Sequence, residues 1–217
     1  MAPKQDRRKE RTEKEILNGL IALMQEKSMK NISVRELAER IDINRSTFYL
    51  HYTDIYDLIE KTENRLVEQI LSVLPEESGF QERQFFDFLE RLFTILKENQ
   101  ALCNVLMSPN GDIAFMDKIQ QFMWDRALAM LAHMVPPMLE RKDLEYATSF
   151  YINGCLGLIS SWLQAGCQGS ATHMAELAFI LLRSGVAGLE YMCMIIQQAE
   201  KVCCIFSVLA LFLHCYN

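Results

Sequence analysis

The sequence predicts an all-α protein in two parts. An N-terminal three-helix unit of helix-turn-helix type covers residues 8–66, and a C-terminal helical bundle covers 67–217. Three observations predict it. Only five prolines and nine glycines punctuate the 217 residues, and no period-two alternation persists. Apolar residues recur instead at i, i+3, i+4 and i+7, the spacing that places side chains on one helix face. Residues 33–52 read as two short helices joined by a three-residue turn.

The first helix is expected over Thr12 to Lys27, with Ile16, Leu17, Leu20, Ile21, Leu23 and Met24 on its buried side. Ser33 can cap the next helix, and Glu36, three residues on, stands where a capping box needs it. Val34, Leu37, Ala38 and Ile41 share one face, with Ala38 small where a neighbouring helix comes close. Asp42-Ile43-Asn44 is the turn. Asp tolerates a left-handed backbone, Ile43 offers an apolar plug, and Asn44 can cap the helix from Arg45 to about Tyr52. Phe48 is the core anchor of that helix.

Arg45, Ser46, Thr47, Tyr49 and His51 offer donors, and none of the five is acidic. Arg can make two hydrogen bonds to guanine, Thr can set its methyl on thymine, and Ser, Thr and Tyr can reach phosphate oxygens. Such a helix can also be a plain solvated face. The capped helix before it, the turn, and the aromatic run to Tyr52 favour DNA readout.

Ala38, Ile43, Asn44, Ser46, Thr47, Phe48, Tyr49, His51 and Tyr52 together resemble the N-terminal domain of TetR/AcrR-type transcriptional regulators. The resemblance implies a DNA-binding set of Ser33, Arg35, Asn44, Arg45, Ser46, Thr47, Tyr49, His51 and Tyr52, with Ser33 and Arg35 on phosphates. Two positions depart from the family pattern. Asp42 stands where glycine is usual. Ile55 stands where a phosphate-binding lysine usually opens the following helix, which leaves that helix's N-terminal amides for a phosphate.

Net charge is −6, which argues against nucleic-acid binding along the whole chain. Its distribution says more. Residues 1–52 hold eleven Lys/Arg against eight Asp/Glu, and the remainder holds eleven against twenty. A basic head on an acidic body suits a protein that touches DNA with one end. Lys4, Arg7, Arg8, Lys9, Arg11 and Lys14 are expected to form a flexible arm, either a DNA contact or a solvated tail.

The seven cysteines, Cys103, Cys155, Cys167, Cys193, Cys203, Cys204 and Cys215, are odd in number and mostly within apolar helical pattern. With no secretory signal, the expectation is a cytoplasmic protein whose cysteines act as small hydrophobes, redox sensing being the weaker alternative. No spacing suggests a metal site, and no cofactor is expected. G-x-S-x-G, P-loop, H-E-x-x-H and dinucleotide motifs are lacking, and His51, His133, His173 and His214 are scattered, so no catalytic residue is expected.

A fourth helix is expected from Asp54 toward Val73, its stripe being Ile55, Leu58, Ile59, Leu66, Ile70 and Leu71 to Val73, stopping at Pro75. A boundary loop, Glu76-Glu77-Ser78-Gly79, follows. Helices are then expected over Gln81 to Glu98, Ala101 to Met107, Ile113 to Val135, Leu144 to Ala165 and Thr172 to Met194. Ser108 to Asp112 is a turn cluster. Gly166 can cap one helix end, and Ser170 or Thr172 can open the last helix.

The Met and aromatic residues of this half are either core or the wall of an effector pocket, the latter because the resemblance implies an effector domain. Phe122, Trp124 and Tyr151 are its candidate lining residues. Gly154, Gly157 and Ser161, with Gly185 and Gly188, form small faces that permit close helix approach, and an intermolecular bundle is a natural user of them. Residues 150–166 resemble the C-terminal domain of a subset of these regulators from low-GC Gram-positive bacteria, which implies a homodimer through the last two helices.

The uncharged stretch Val202 to Asn217 is too short for a membrane span; it reads as extra interface helix before membrane attachment. The implied partners are double-stranded operator DNA, a second copy of the chain and a small-molecule effector of unknown identity, with no membrane. The implied function is a one-component regulator, repressing by default. The alternative is a helical protein-interaction module that kept the fold without effector-controlled DNA binding.

Overall fold

The computed structural model describes residues 4–74, 82–134, 140–188 and 191. Every regular element among them is helical. They are α1 (Lys4–Glu26), a 3-10 turn (Met29–Asn31), α2 (Val34–Arg40), α3 (Arg45–Tyr49), α4 (Ile55–Leu71), α5 (Glu82–Glu98), α6 (Gln100–Leu106), α7 (Ile113–Met134), α8 (Arg141–Gln164) and α9 (171–188). The boundary loop at 76–79, Pro136, Pro137 and the tail from Val202 lie outside the described residues. So do four of the seven cysteines. The described residues fall into two compact units. One takes those up to Ile119 with Leu158–Ala175, the other Gln120–Gly157 with those from Glu176 onward.

In the first unit, α1 extends further than the sequence suggests. It opens at Lys4 rather than Thr12, so the basic segment is helix and not a flexible arm. Nothing after Pro3 breaks helix here, and pairs one turn apart support it: Arg11 Nε donates to Glu15 Oε1 at 2.9 Å, and Lys9 stands 3.9 Å from Glu13. Ile16, Leu20, Leu23 and Met24 of α1 are buried, as are Leu37 and Ala38 of α2, Phe48 of α3 and Leu58 and Ile59 of α4.

The α1–α2 approach depends on Gly19. A Cβ there would meet Ile41 Cγ2 at 2.4 Å and Leu37 Cδ1 at 2.9 Å. Ile41 is β-branched and stiff, so the helices must part to admit a methyl. Gly19→Ala should destabilise the protein by about 1–2 kcal/mol, overpacking outweighing alanine's better helix propensity. Urea unfolding checks this, and a variant more stable than the parent would refute the close approach.

The rest of this unit is tied by polar contacts to backbone carbonyls. Asn110 Nδ2 donates to Met24 O at 3.0 Å, and Met29 N–H donates to Asn110 O at 3.2 Å, joining the Ser108–Asp112 turn to the end of α1. Gln100 and Asn104 of α6 both donate to Leu163 O at 3.2 Å. Phe93 meets Trp162 edge-on at 5.4 Å, and the indole N–H donates to Gln168 O. Gly166, at φ +79°, ends α8 as expected. Its N–H bonds Leu163 O and that of Cys167 bonds Trp162 O, the paired closure of a Schellman motif. Ser170, the first of two caps suggested for α9, accepts from His173 N–H at 3.0 Å.

Among the described residues no helix is long and apolar enough to cross a membrane, and no group of three or more His, Cys, Asp or Glu could hold a metal ion. Cys103 and Cys167 are buried, and burial pushes the Cys103 thiol up to about 12, keeping it protonated and unreactive.

Candidate nucleic-acid interface

The helix-turn-helix is set by local hydrogen bonds. Ser33 caps α2, its Oγ accepting from Glu36 N–H at 3.2 Å. The capping box is only half formed, because the Glu36 carboxylate turns to Lys27, whose Nζ donates to it at 2.6 Å. A second ion pair, Arg40 with Glu26, also joins α1 to α2. Asp42 adopts φ +53°, as its place in the turn suggested, and Ile43 N–H bonds Ala38 O at 3.0 Å. Asn44 Oδ1 caps α3 by accepting from Ser46 N–H at 3.0 Å.

α3 is shorter than expected, ending at Tyr49, with His51 and Tyr52 in the turn that follows. Phe48 is its buried residue, and its ring meets Tyr49 edge-on at 5.6 Å and Tyr52 at 5.7 Å. Ser33, Arg35, Asn44, Arg45, Ser46 and Tyr49 are exposed, and Thr47 is half-buried. Two of the candidates are turned inward. Tyr52 is buried, with Lys61 Nζ 5.4 Å from its ring centre. His51 Nδ1 lies 3.4 Å from Glu13 Oε1, which joins the turn to α1. Arg35 is exposed but holds Glu39 at 2.8 Å, a pairing that raises its pKa.

The start of α4 explains the missing lysine. Ile55 is buried and belongs to the core. Asp54 Oδ1 accepts from Asp57 N–H, and Asp57 Oδ2 accepts from Thr53 N–H, both at 2.8 Å. The Thr53 amide and Lys61 hold the Asp57 carboxyl below its ordinary pKa. Asp54 and Asp57 thus place two carboxylates at this helix end, and Asp54 takes the Asp57 amide. Leu50, outside the candidate set, is 81% exposed beside α3. Its residue type suggested core. Only its position opposite Phe48 on the helix could have signalled exposure.

In the second unit, Tyr151 lines an open groove with Asp143, Tyr146, Phe150, Gly185 and Gly188. Gly185 lies against the Tyr151 ring: a Cβ there would meet the Tyr151 hydroxyl at 2.6 Å, so a larger residue would move that side chain. Phe122 and Trp124, the other two candidates, do not line this groove; Phe122 is exposed with the Arg126 guanidinium 5.7 Å from its ring.

The three buried-faced helices, the left-handed turn and the second capped helix define a helix-turn-helix unit on an all-helical chain. Residues 16–62 match the family of bacterial regulatory proteins, tetR family, and residues 83–184 match a transcriptional regulator C-terminal region. The chain belongs to the TetR family of transcriptional regulators.

Its fold is shared with a TetR-like transcriptional regulator from Rhodococcus sp. RHA1, at 18% identity and TM-score 0.59 over 81% of this chain and 96% of that one. It is shared with a TetR transcriptional regulator from Streptococcus agalactiae, at 18% identity and TM-score 0.54 over 82% and 96%. A third is NalD, the secondary repressor of the MexAB-OprM multidrug efflux pump in Pseudomonas aeruginosa, at 16% identity and TM-score 0.57 over 82% and 97%. No curated protein matches the chain in sequence.

Proposed function

We propose that the protein is a cytoplasmic, one-component transcriptional regulator without catalytic activity. Residues 8–66 bind operator DNA and residues 67–217 hold an effector and pair two copies. The observation that carries this reading is the outward face of α3, where Arg45, Ser46 and Tyr49 stand exposed on a helix anchored by Phe48. A homodimer places two such helices in successive major grooves, roughly 34–36 Å apart, on a near-palindromic site. Repression is the default, and NalD, which shares the fold, is itself a repressor. An effector releases DNA if it binds more tightly to a dimer whose heads are wrongly spaced.

Two features support the roles of the second half. Phe150 is 73% exposed, and Tyr146, Ile180, Leu181 and Tyr191 are exposed too, an apolar surface on α8 and the last described helical residues that suits a second copy. Gly154, Gly157 and Gly188 have open space where a Cβ would stand, so another helix can approach. The groove beside Tyr151 offers aromatic walls and one carboxylate, Asp143, for an effector. Phe122 and Trp124 keep their place as candidates on α7.

The first test is a map of genomic fragments retained by the purified protein at near-physiological salt. An enriched near-palindromic site supports the reading. No enrichment overturns it in favour of a protein-interaction module, which the carboxylates at the start of α4 would then explain. With a site in hand, Arg45→Ala should lose about 1–3 kcal/mol of discrimination between bases. Lys9→Ala should weaken all DNA alike and lower the salt slope by about one. Equal, sequence-independent losses from both variants would refute this division of labour.

A further inference from the structure

Leu50 stands at the C-terminal cap of α3, with φ −72° and ψ −19°, and its N–H bonds Thr47 O at 3.3 Å. It therefore continues the helical path of α3 for one more residue. On a helix of 3.6 residues per turn, positions two residues either side of Phe48 lie about 160° around the axis from it. Those positions are Ser46 and Leu50. Phe48 is fully buried, so Ser46 and Leu50 occupy the face of α3 turned furthest from the core. They are one turn apart and neighbours on that face.

This outermost face carries one hydroxyl and one isobutyl group, and Leu50 is 81% exposed. In the first unit the large apolar side chains standing exposed among the described residues are Tyr49, Leu50, Tyr56 and Leu71. Three of these four fall between positions 49 and 56, so the apolar surface is concentrated where α3 ends and α4 begins. A tyrosine there can bond a phosphate oxygen through its hydroxyl. Leucine has no polar atom, so neither phosphates nor the polar base edges account for it. The apolar group that DNA presents on its major-groove edge is the C5-methyl of thymine.

We propose that Leu50 reads a thymine methyl in the major groove and so sets an A·T preference in each half-site. This rests on the DNA-binding reading above. The probe is a duplex selected by the wild-type protein from a randomised pool, with each thymine replaced in turn by deoxyuridine, which removes only the methyl. Affinities are read by fluorescence anisotropy. At one thymine or two per half-site, methyl removal should weaken the wild-type protein about three- to tenfold. Leu50→Ala should bind the thymine and uracil duplexes alike at those positions.

The wild-type measurement needs no variant to fold, and circular dichroism checks that Leu50→Ala keeps its helices. Retention of duplexes with no uracil effect at any position overturns the proposal while leaving DNA binding intact. So does a Leu50→Ala protein as sensitive to uracil as the wild type. Failure to retain any duplex overturns DNA binding itself, and this inference with it.

Discussion

Replacing Glu63 by Gln is expected to make the protein more stable above neutral pH and to remove a decline in stability that the parent shows between about pH 4.5 and 7. Glu63 lies on the buried face of α4 with 6% of its surface exposed, and its Oε1 has no hydrogen-bond partner. Burial pushes its pKa from the ordinary 4.5 up to about 7, and the neighbouring charge of Asp112 pushes the same way. Lys118 opposes this and Glu60 adds to it.

The sign follows from proton counts. Between the two pKa values the folded chain holds the proton and the unfolded chain has released it. Raising the pH through this window therefore favours unfolding, and the penalty is complete above about 7. A rise of this size corresponds to about 3 kcal/mol as an order of magnitude. Glu63→Gln keeps the shape of the protonated acid and cannot ionise. Urea unfolding at pH 4, 6 and 8 should show the variant equal to the parent at the lowest pH and more stable by about 2–3 kcal/mol at the highest. A constant difference across the three would mean that Glu63 does not titrate in this window.

Phe48→Ala should lower stability by about 3–5 kcal/mol, a large share of a typical domain's total. Phe48 is fully buried and is the one residue of α3 so placed. A five-residue helix has no stability of its own, so α3 is held in place by this ring and its contacts with Tyr49 and Tyr52. Losing it should unfix the helix before the rest of the domain melts. Amide exchange read by mass spectrometry should therefore show residues 44–52 exchanging far faster than α1. Unchanged protection at 44–52 would place the anchoring elsewhere. Phe48→Leu, which keeps most of the volume, should recover the larger part of the loss.

What the sequence by itself determined was local. Ser33, Asn44, Asp54 and Gly166 start or end helices through hydrogen bonds that reach no more than a few residues, and Asp42 takes its left-handed turn for the same reason. The helical period and the succession of caps were therefore enough to read the all-α fold and the helix-turn-helix.

Tertiary structure decided everything that depends on a distant partner. Glu36 has the spacing for a capping box, yet a lysine nine residues earlier takes its carboxylate. Thr62 and Glu63 continue the buried spacing of Ile55, Leu58 and Ile59, but their polarity hid them from a stripe defined by apolar residues. Tyr52 and His51 carry donors suited to DNA, and only the packing against Phe48 and Glu13 turned them inward. Leu50 is the reverse case, an apolar type left outside because the one buried position of a short helix was already filled by Phe48. Backbone hydrogen bonding is short in range and legible along a chain. Burial depends on which helices meet, and that is set by the sum of their contacts.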